Sequence, residues 1–431
     1  MEIKVAIFGF GIVGKSVYEI LTEKSDLIQA RTGKNIKVKA ILEKDLSKKS
    51  LVDAFVNFTA DAAAVLEDPE INVVIESLGG EFPAYDFIIS ALKNKKSVIS
   101  SNKEVIAKHK EEFIMLAKEN GVDFYFEASV GGSIPIIRSL KVGYAANQIK
   151  AIYGILNGTT NFILTKIEEE NKEFAAVLKQ AQDLGFAEAN PAMDVSGLDA
   201  AYKLTILALV AFKKNIKIED VSFEGIEKIS LKDILYAQEF GCKIKLLAIG
   251  KREENDEYHF KVQPIMIPTT HALAAVRNEF NAIFIVGDEV GEAMLYGKGA
   301  GGRPTAAAIV SDLIDLVFNY PEISSRNLEV DVAVPKFVAK GNEKAQFYLR
   351  LIVDDHFGVL EKIAHAFGKN QVSLSKVIQK DIIQDAKEKD KAELVILTHK
   401  VKEALLSNAL TDLLALPEIL ELASVIRVGL D

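Results

Sequence analysis

Cysteine is almost missing from this chain. A single thiol, Cys242, stands among 431 residues. That excludes an intramolecular disulfide and any zinc site built on several cysteines, and the expected compartment is the reducing cytoplasm. Positive charge is also in deficit: 52 Lys and Arg against 61 Asp and Glu leave a net charge of −9. A global basic footprint for nucleic acid is therefore absent. Only eight of the basic residues are arginine, so each one near a candidate anion site is worth noting. The apolar run near Leu204–Phe212 is too short to span a bilayer. The N-terminal stretch Met1–Phe8 has a strand pattern that runs into a glycine loop, without the apolar core and small-residue cleavage site of a leader. Neither a membrane nor a nucleic-acid partner is expected. Long repeats, low-complexity tracts and heptads are missing as well. What remains is 49% hydrophobic and 26% charged, the composition of a globular enzyme. The length allows two or three domains, each with enough core to fold without staples.

Residues 1–130 alternate short apolar runs (Lys4–Phe8, Ile36–Leu42, Val73–Ser77, Ser97–Ser100, Asp123–Glu127) with amphipathic stretches (Gly14–Glu23, Ala84–Asn94, Lys108–Glu119). Strand–helix–strand alternation predicts an α/β fold, a doubly wound parallel sheet with helices on both faces. Residues 131–320 change to an α+β pattern. Helices are expected at Ile134–Ser139, Thr160–Glu170, Glu173–Leu184, Asp199–Ala211 and Leu231–Phe240. Strands are expected at Gln148–Ile155, Ile244–Gly250, Phe260–Ile267 and Ala282–Gly287. A glycine-rich loop at Gly297–Thr305 leads into a helix within 300–320 that is expected to pack with the first domain. Residues 321–343 read as a connector with a strand near Val330–Val334. Residues 344–431 run strand, helix, strand, strand, helix, strand, the ferredoxin-like order, with Asp381–Lys391 as a solvated hairpin loop.

Gly9-Phe10-Gly11-Ile12-Val13-Gly14 follows a strand and opens a helix, the context that G-x-G-x-x-G requires in a Rossmann-like dinucleotide site. Gly9 suits the tight turn, Gly11 the approach of a pyrophosphate, and Gly14 close helix–strand packing. The alternative is a tight turn without a ligand. After the second strand come Glu43 and Lys44. A carboxylate there suits the ribose of NAD and a cation suits the phosphate of NADP, so the two readings stand side by side.

Lys103 lies just past the strand Ser97–Ser100, where ligands of open α/β sheets bind. A helix-start surface lysine is the alternative. The segment Gly185–Lys203 is dense in acids and glycine. Asp199 and Lys203 sit at i, i+4 and share a helix face, as an ordinary salt bridge or as part of a site. A carbonyl reductase needs a proton donor, and a lysine ordered by a carboxylate serves. Glu188, Asp194 and Asp199 offer carboxylates for a substrate ammonium. Gly158 and Thr159, opening a helix after Asn157, offer N–H and hydroxyl groups for a substrate carboxylate, or else the threonines only cap that helix.

Taken together, Gly9–Gly14, Ser101-Asn102-Lys103, Glu127–Pro135, Asn157–Asn161, Glu188…Asp194…Asp199…Lys203 and Gly299-Ala-Gly301 resemble homoserine dehydrogenase, in family order over essentially the whole chain. The tail, with Asp354-Asp355-His356-Phe357-Gly358 at its first turn, resembles an ACT domain. The resemblance implies NAD(P)-dependent interconversion of L-aspartate 4-semialdehyde and L-homoserine, on the route to threonine and methionine. It implies Lys203 as proton donor with Lys103 and Asp199 in the catalytic set, and substrate contacts from Glu188, Asp194, Asp199, Gly158, Thr159 and Lys103. It places the NAD or NADP against Gly9, Phe10, Gly11, Ile12, Val13, Gly14, Lys44, Ser77, Ser101, Lys103 and Gly301. It further implies a monovalent cation, sodium, on the backbone oxygens of Glu127, Val130, Gly132 and Ile134, threonine as an effector of the tail, and a homodimer or higher homo-oligomer. Two other readings compete: a hydroxy-acid dehydrogenase with an ACT tail, and a Rossmann–ACT metabolite sensor without turnover. The first uses a His–carboxylate couple, but the six histidines here fall outside the candidate blocks. The second gives Lys103 and the Glu188–Lys203 cluster no reason to converge.

Overall fold

The computed structural model describes residues 2–320, 322, 335–381 and 391–430. Its first layer is a parallel sheet of β1 (Glu2–Phe8), β2 (Asn35–Leu42), β3 (Asn57–Thr59), β4 (Val73–Glu76), β5 (Ser97–Ser100) and β6 (Phe124–Tyr125), in the order β3-β2-β1-β4-β5-β6. That order reverses between β1 and β4, which opens a crevice at the carboxyl ends of the strands. Helices α1 (Ile12–Glu23), α2 (Ser25–Thr32), α3 (Ala62–Leu66), α4 (Ala84–Lys93) and α5 (Lys103–Asn120) flank it. Val5, Ala6, Ile7 and Phe8 are all buried, as a strand covered on both faces demands. The Asn102 side chain accepts the Val105 N–H (3.3 Å) and starts α5 directly beyond β5, which fixes where Lys103 emerges.

The chain then passes through α6 (Ile136–Arg138), continued as a wide π turn over Ser139–Gly143, so the helix expected at Ile134–Ser139 starts after Pro135. β7 (Ile149–Ile155) leads to α7 (Gly158–Glu170), α8 (Phe174–Asp183), α9 (Ala192–Val195) and α10 (Leu198–Phe212). Of the fifteen residues of α10, thirteen are buried. An almost wholly apolar helix belongs in a core, and it carries Asp199 and Lys203 inside with it. β8 (Ser222–Phe223), α11 (Leu231–Glu239), β9 (Cys242–Arg252), β10 (Glu257–Pro268), β11 (Phe280–Gly287) and β12 (Gly291–Lys298) follow. β12 falls largely in a stretch the sequence pattern leaves without a strand. It is an exposed edge, and its burial alternates too weakly for the period-2 signal to show. Helix α12 (Gly302–Asn319) returns to the parallel sheet. Its Ala306, Ile309, Leu313 and Val317 join Ile3, Val5, Ile7 and Ile75 in one cluster, the helical i, i+3, i+7, i+11 stripe.

Past β13 (Lys336–Phe337), the C-terminal part comprises β14 (Lys344–Asp354), α13 (Val359–Lys369), β15 (Leu374–Asp381), β16 (Lys391–Thr398), β17 (Val401–Lys402), α14 (Glu403–Leu414) and β18 (Ile419–Val428). Its main strands pair antiparallel in the order β18-β14-β16-β15, a ferredoxin-like arrangement of the βαββαβ sequence. The expected strand near Val330–Val334 and the interior of the Asp381–Lys391 loop lie outside the described residues.

This part is not tethered loosely. β18 pairs parallel with β10 (Ile265 with Arg427, Met266 with Val428), so one sheet runs β12-β11-β7-β9-β10-β18-β14-β16-β15. A buried ionic joint ties the tail to α11. The Arg350 guanidinium donates to both oxygens of Asp233 (2.8 and 3.2 Å), to Glu393 (3.2 Å) and to the Ser230 hydroxyl (3.0 Å). Tyr348 donates to Asp233 (3.0 Å) and Tyr236 to Glu393 (2.6 Å). Each buried acid therefore has a cation and hydroxyls around it, the condition under which buried charge is tolerated.

Candidate active site

The glycine loop forms the crevice wall at the switch point. Gly9 takes a left-handed conformation (φ 91°) that glycine adopts without steric cost. Its N–H donates to Leu42 O (2.9 Å). A Cβ on Gly14 would lie 1.9 Å from the Gly9 carbonyl oxygen, whereas a Cβ on Gly11 would meet nothing within 4 Å. Gly14 is thus a packing glycine, and Gly11 leaves open space above the loop. Helix α1 has no side-chain cap, so the first N–H groups, from Ile12, Val13 and Gly14, face that space. Ile12 is 79% exposed and Phe10 is buried. Ser77 belongs to the same wall. Its hydroxyl donates to Phe8 O and Gly9 O (3.1 Å each). Gly301 (φ 124°) caps α12, and the next residue, Gly302, packs against Ile12. Lys44 is exposed, while the neighbouring Glu43 turns back to the loop and accepts the Phe10 N–H (2.9 Å). These residues fit a dinucleotide: uncapped helix N–H groups and an unfilled glycine face suit a pyrophosphate.

Beside the crevice lies Glu76, the last residue of β4 and wholly buried. Ser100 donates its hydroxyl to this carboxyl, as does the Leu78 N–H (2.7 Å). Burial pushes its pKa up to about 7 against the pull of those donors. The Ser101 N–H donates to Glu76 O (3.2 Å), and the Asn102 N–H to the Ser100 hydroxyl (3.1 Å). Glu76 therefore anchors the turn that carries Ser101 and Lys103. It escaped sequence reading because it sits at the end of an apolar strand run.

The convergent polar cluster forms where α5, α7 and α10 meet. Asp199, 1% exposed, is its centre. Lys203 donates to Asp199 Oδ2 (2.7 Å) and to the Leu156 carbonyl (2.7 Å). Lys103 faces Asp199 Oδ1 as an ion pair, an oxygen with no aligned hydrogen-bond donor. Asn157 donates to Asp199 Oδ2 (2.9 Å) and Asp194 Oδ1 (2.6 Å), while its own oxygen accepts the Thr160 N–H (2.8 Å) and caps α7. Thr159 donates to Phe186 O (2.6 Å) and lies 3.3 Å from Asp194 Oδ2. Gly158, the first residue of α7, packs against the Glu279 carbonyl. Glu188 stays exposed at the rim, and its charge raises the pKa of Lys103.

The electrostatics follow from burial and charge. Burial works against ionised Asp199, but Lys203 and Lys103 overcome it and hold the carboxyl well below its usual range. Burial drives the Lys203 ammonium below the ordinary lysine value. Asp199 opposes that fall, and the Lys103 charge deepens it. Lys103 feels burial too, but Asp199 outweighs it and keeps Lys103 above the ordinary value. Asp194 is raised by burial and by the Asp199 charge. The outcome is two lysines of unequal acidity on one carboxylate, with acids around them. Asn157 and the Leu156 carbonyl, which complete the cluster, were not singled out from sequence. Asn157 lies inside a motif that signals it, whereas a backbone acceptor carries no residue type.

Residues Glu127–Ile134 form a largely buried turn against α12. Gly131 and Gly132 are left-handed, with Gly132 against the Gly299 carbonyl. The Val130 N–H donates to Glu127 O (3.4 Å), the Ile134 N–H to Gly131 O (2.9 Å) and the Ile136 N–H to Ile134 O (2.8 Å). The Glu127 carboxyl accepts the Ile137 and Arg138 N–H groups (2.8 and 2.7 Å). Among the described residues no group of three or more His, Cys, Asp or Glu is placed to hold a metal ion.

A family model described as homoserine dehydrogenase, NAD binding domain, matches residues 9–127, and one described as homoserine dehydrogenase matches residues 135–314. The homoserine dehydrogenase of Bacillus subtilis (strain 168) is 41% identical over 99% of this chain and 98% of its own length. This chain belongs to the homoserine dehydrogenase family. The Helicobacter pylori homoserine dehydrogenase is 38% identical over 99% of both chains. The solved Thiobacillus denitrificans homoserine dehydrogenase has a TM-score of 0.91 at 34% identity, covering 100% of this chain and 98% of that one. A hyperthermophilic archaeal homoserine dehydrogenase solved with NADPH has a TM-score of 0.65 at 28% identity over 76% of this chain and 100% of that one. The chain is thus a homoserine dehydrogenase by family, an NAD(P)-dependent oxidoreductase. The glycine loop falls within the segment matched by the NAD-binding model, and Asp199 and Lys203 fall within the other.

Proposed function

We propose that this homoserine dehydrogenase interconverts L-homoserine and L-aspartate 4-semialdehyde at the Lys103–Asp199–Lys203 cluster. The observation that carries the reading is one buried carboxylate meeting two lysines at the mouth of a dinucleotide crevice. The nicotinamide ring, when bound, supplies or takes up the hydride. Lys203 holds the proton that goes to the substrate oxygen. Its contacts to Asp199 and Leu156 O use two of its three N–H bonds, and its lowered pKa eases release. Lys103 stabilises the oxygen as negative charge develops. Asp199 orders both lysines. Asp194 and Glu188 receive the substrate ammonium, and the Gly158 and Thr159 N–H groups at the start of α7 receive its carboxylate.

Lys203→Ala tests the assignment. It should lower kcat by about 10²–10⁴-fold and leave the Kd for reduced cofactor within a factor of a few. Unchanged turnover refutes the role of Lys203.

The same reading extends to parts further from the chemistry. Residues 1–130 with α12 bind the cofactor, 131–320 bind substrate and dimerise, 321–343 connect, and 344–431 form an ACT unit that takes threonine as effector. What supports the last is the βαββαβ order, and the ionic joint from Arg350 to α11 offers it a path inward. A monovalent cation, sodium, suits the turn at Glu127, Val130, Gly132 and Ile134, because the donors there are carbonyl oxygens, which hard cations accept.

A further inference from the structure

The residue that follows β2 stands where a fold of this kind reads the adenosine ribose. Here that residue is Glu43, and its side chain is held in place. Its carboxylate accepts the Phe10 N–H (Oε2, 2.9 Å) and the Asp45 N–H (Oε1, 3.1 Å), and the Lys48 ammonium lies 3.3 Å away. The side chain is only 15% exposed. Burial opposes its charge, but the two N–H donors and Lys48 prevail and hold the carboxyl below the ordinary range. One of the donors belongs to the glycine loop itself, so this anion is part of the wall that meets the cofactor. The basic residues nearby do not displace it: Lys48 is paired with it, and Lys44 and Lys49 are exposed.

The geometry points to Glu43 as the residue that selects the dinucleotide, with NAD preferred over NADP. A fixed carboxylate accepts a hydrogen bond from the ribose 2′-hydroxyl and repels a 2′-phosphate. This rests on the reading of the glycine loop as the dinucleotide site and specifies its ligand. The preference is a property of this position, since Glu43 adds a negative charge where Lys44 alone would leave a positive one.

The full-length protein is titrated with NADH and with NADPH, following cofactor fluorescence. The kcat/KM for homoserine oxidation is measured in parallel with NAD and NADP. The expected result is about tenfold or tighter binding of NADH, with the same order in kcat/KM. Glu43→Gln, which keeps the shape and removes the charge, should narrow the gap mainly by tightening NADPH. Equal or tighter binding of NADPH by the unaltered protein overturns the inference while leaving the dinucleotide site intact, and that comparison needs no variant to fold. A Glu43→Gln protein that weakens both cofactors equally overturns it too, because Glu43 would then only prop the loop. If neither cofactor binds, the reading of the glycine loop fails and the inference with it.

Discussion

Replacing Arg350 by methionine removes the cation that joins the C-terminal part to α11. The buried guanidinium makes four hydrogen bonds, two to Asp233, one to Glu393 and one to Ser230. Without it Asp233 keeps Tyr348 and Ser230, and Glu393 keeps Tyr236 and Lys232. Two buried carboxylates nonetheless lose their shared counter-ion. Breaking a buried pair from one side costs about 3–5 kcal/mol, between two and four powers of ten in the unfolding equilibrium. The deficit should depend on pH. Burial opposes the Glu393 charge, but Tyr236, Lys232 and Arg350 together hold its carboxyl below the ordinary range, which stabilises the fold above that range and not below it. Arg350→Met forfeits part of that contribution, so its deficit should be larger at pH 7 than at pH 3. Pairing it with Asp233→Asn removes one stranded charge and should recover part of the loss. The chain has no tryptophan, so urea unfolding is followed by far-UV circular dichroism or calorimetry. A deficit below about 1 kcal/mol, or one that is the same at both pH values, would refute the view of Arg350 as a buried counter-ion.

Other expectations are simpler to read. Gly14→Ala places a methyl 1.9 Å from the Gly9 carbonyl and forces the loop open, so the Kd for reduced cofactor should rise about tenfold or more for a stability loss of about 1–3 kcal/mol; an unchanged Kd contradicts the packing role. Glu76 keeps its proton up to about pH 7 in the fold and gives it up near 4.5 when unfolded. Stability should therefore fall by roughly 3 kcal/mol as pH rises between those values. Glu76→Gln should remove that slope in pH-dependent urea titrations, and equal slopes in the two proteins would exclude the shift. Threonine should inhibit the unaltered enzyme and lose its effect in Arg350→Met protein that still turns over; inhibition of both alike would place the signal elsewhere.

Much of the fold was legible because its signals are local. Apolar runs separated by amphipathic helices foretold five of the six parallel strands, and the glycine spacing marked the helix that opens the cofactor wall; the sixth, β3, is only three residues long and too short for a run to show. The i, i+4 spacing of Asp199 and Lys203 put them on one face of α10. It did not show that Lys103 reaches the same carboxylate from another helix, since no period links two elements so far apart; only the family resemblance joined them. Glu76 was hidden by its neighbours in an apolar strand, and the Leu156 carbonyl by having no side-chain identity at all. The edge strand β12 went unread because an exposed strand has no buried face to write its alternation. The parallel pairing of β18 with β10 rests on two residue pairs, too few to leave a mark in sequence.

Asp199 serves two cations that come from different parts of the molecule: Lys103 from α5 on the parallel sheet, Lys203 from its own helix. The Lys103 charge helps to keep the proton affinity of Lys203 low. Acid strength and inter-helix distance are therefore coupled. Drawing α5 away from α10 would let Lys203 grip its proton harder, and closing the gap would loosen it.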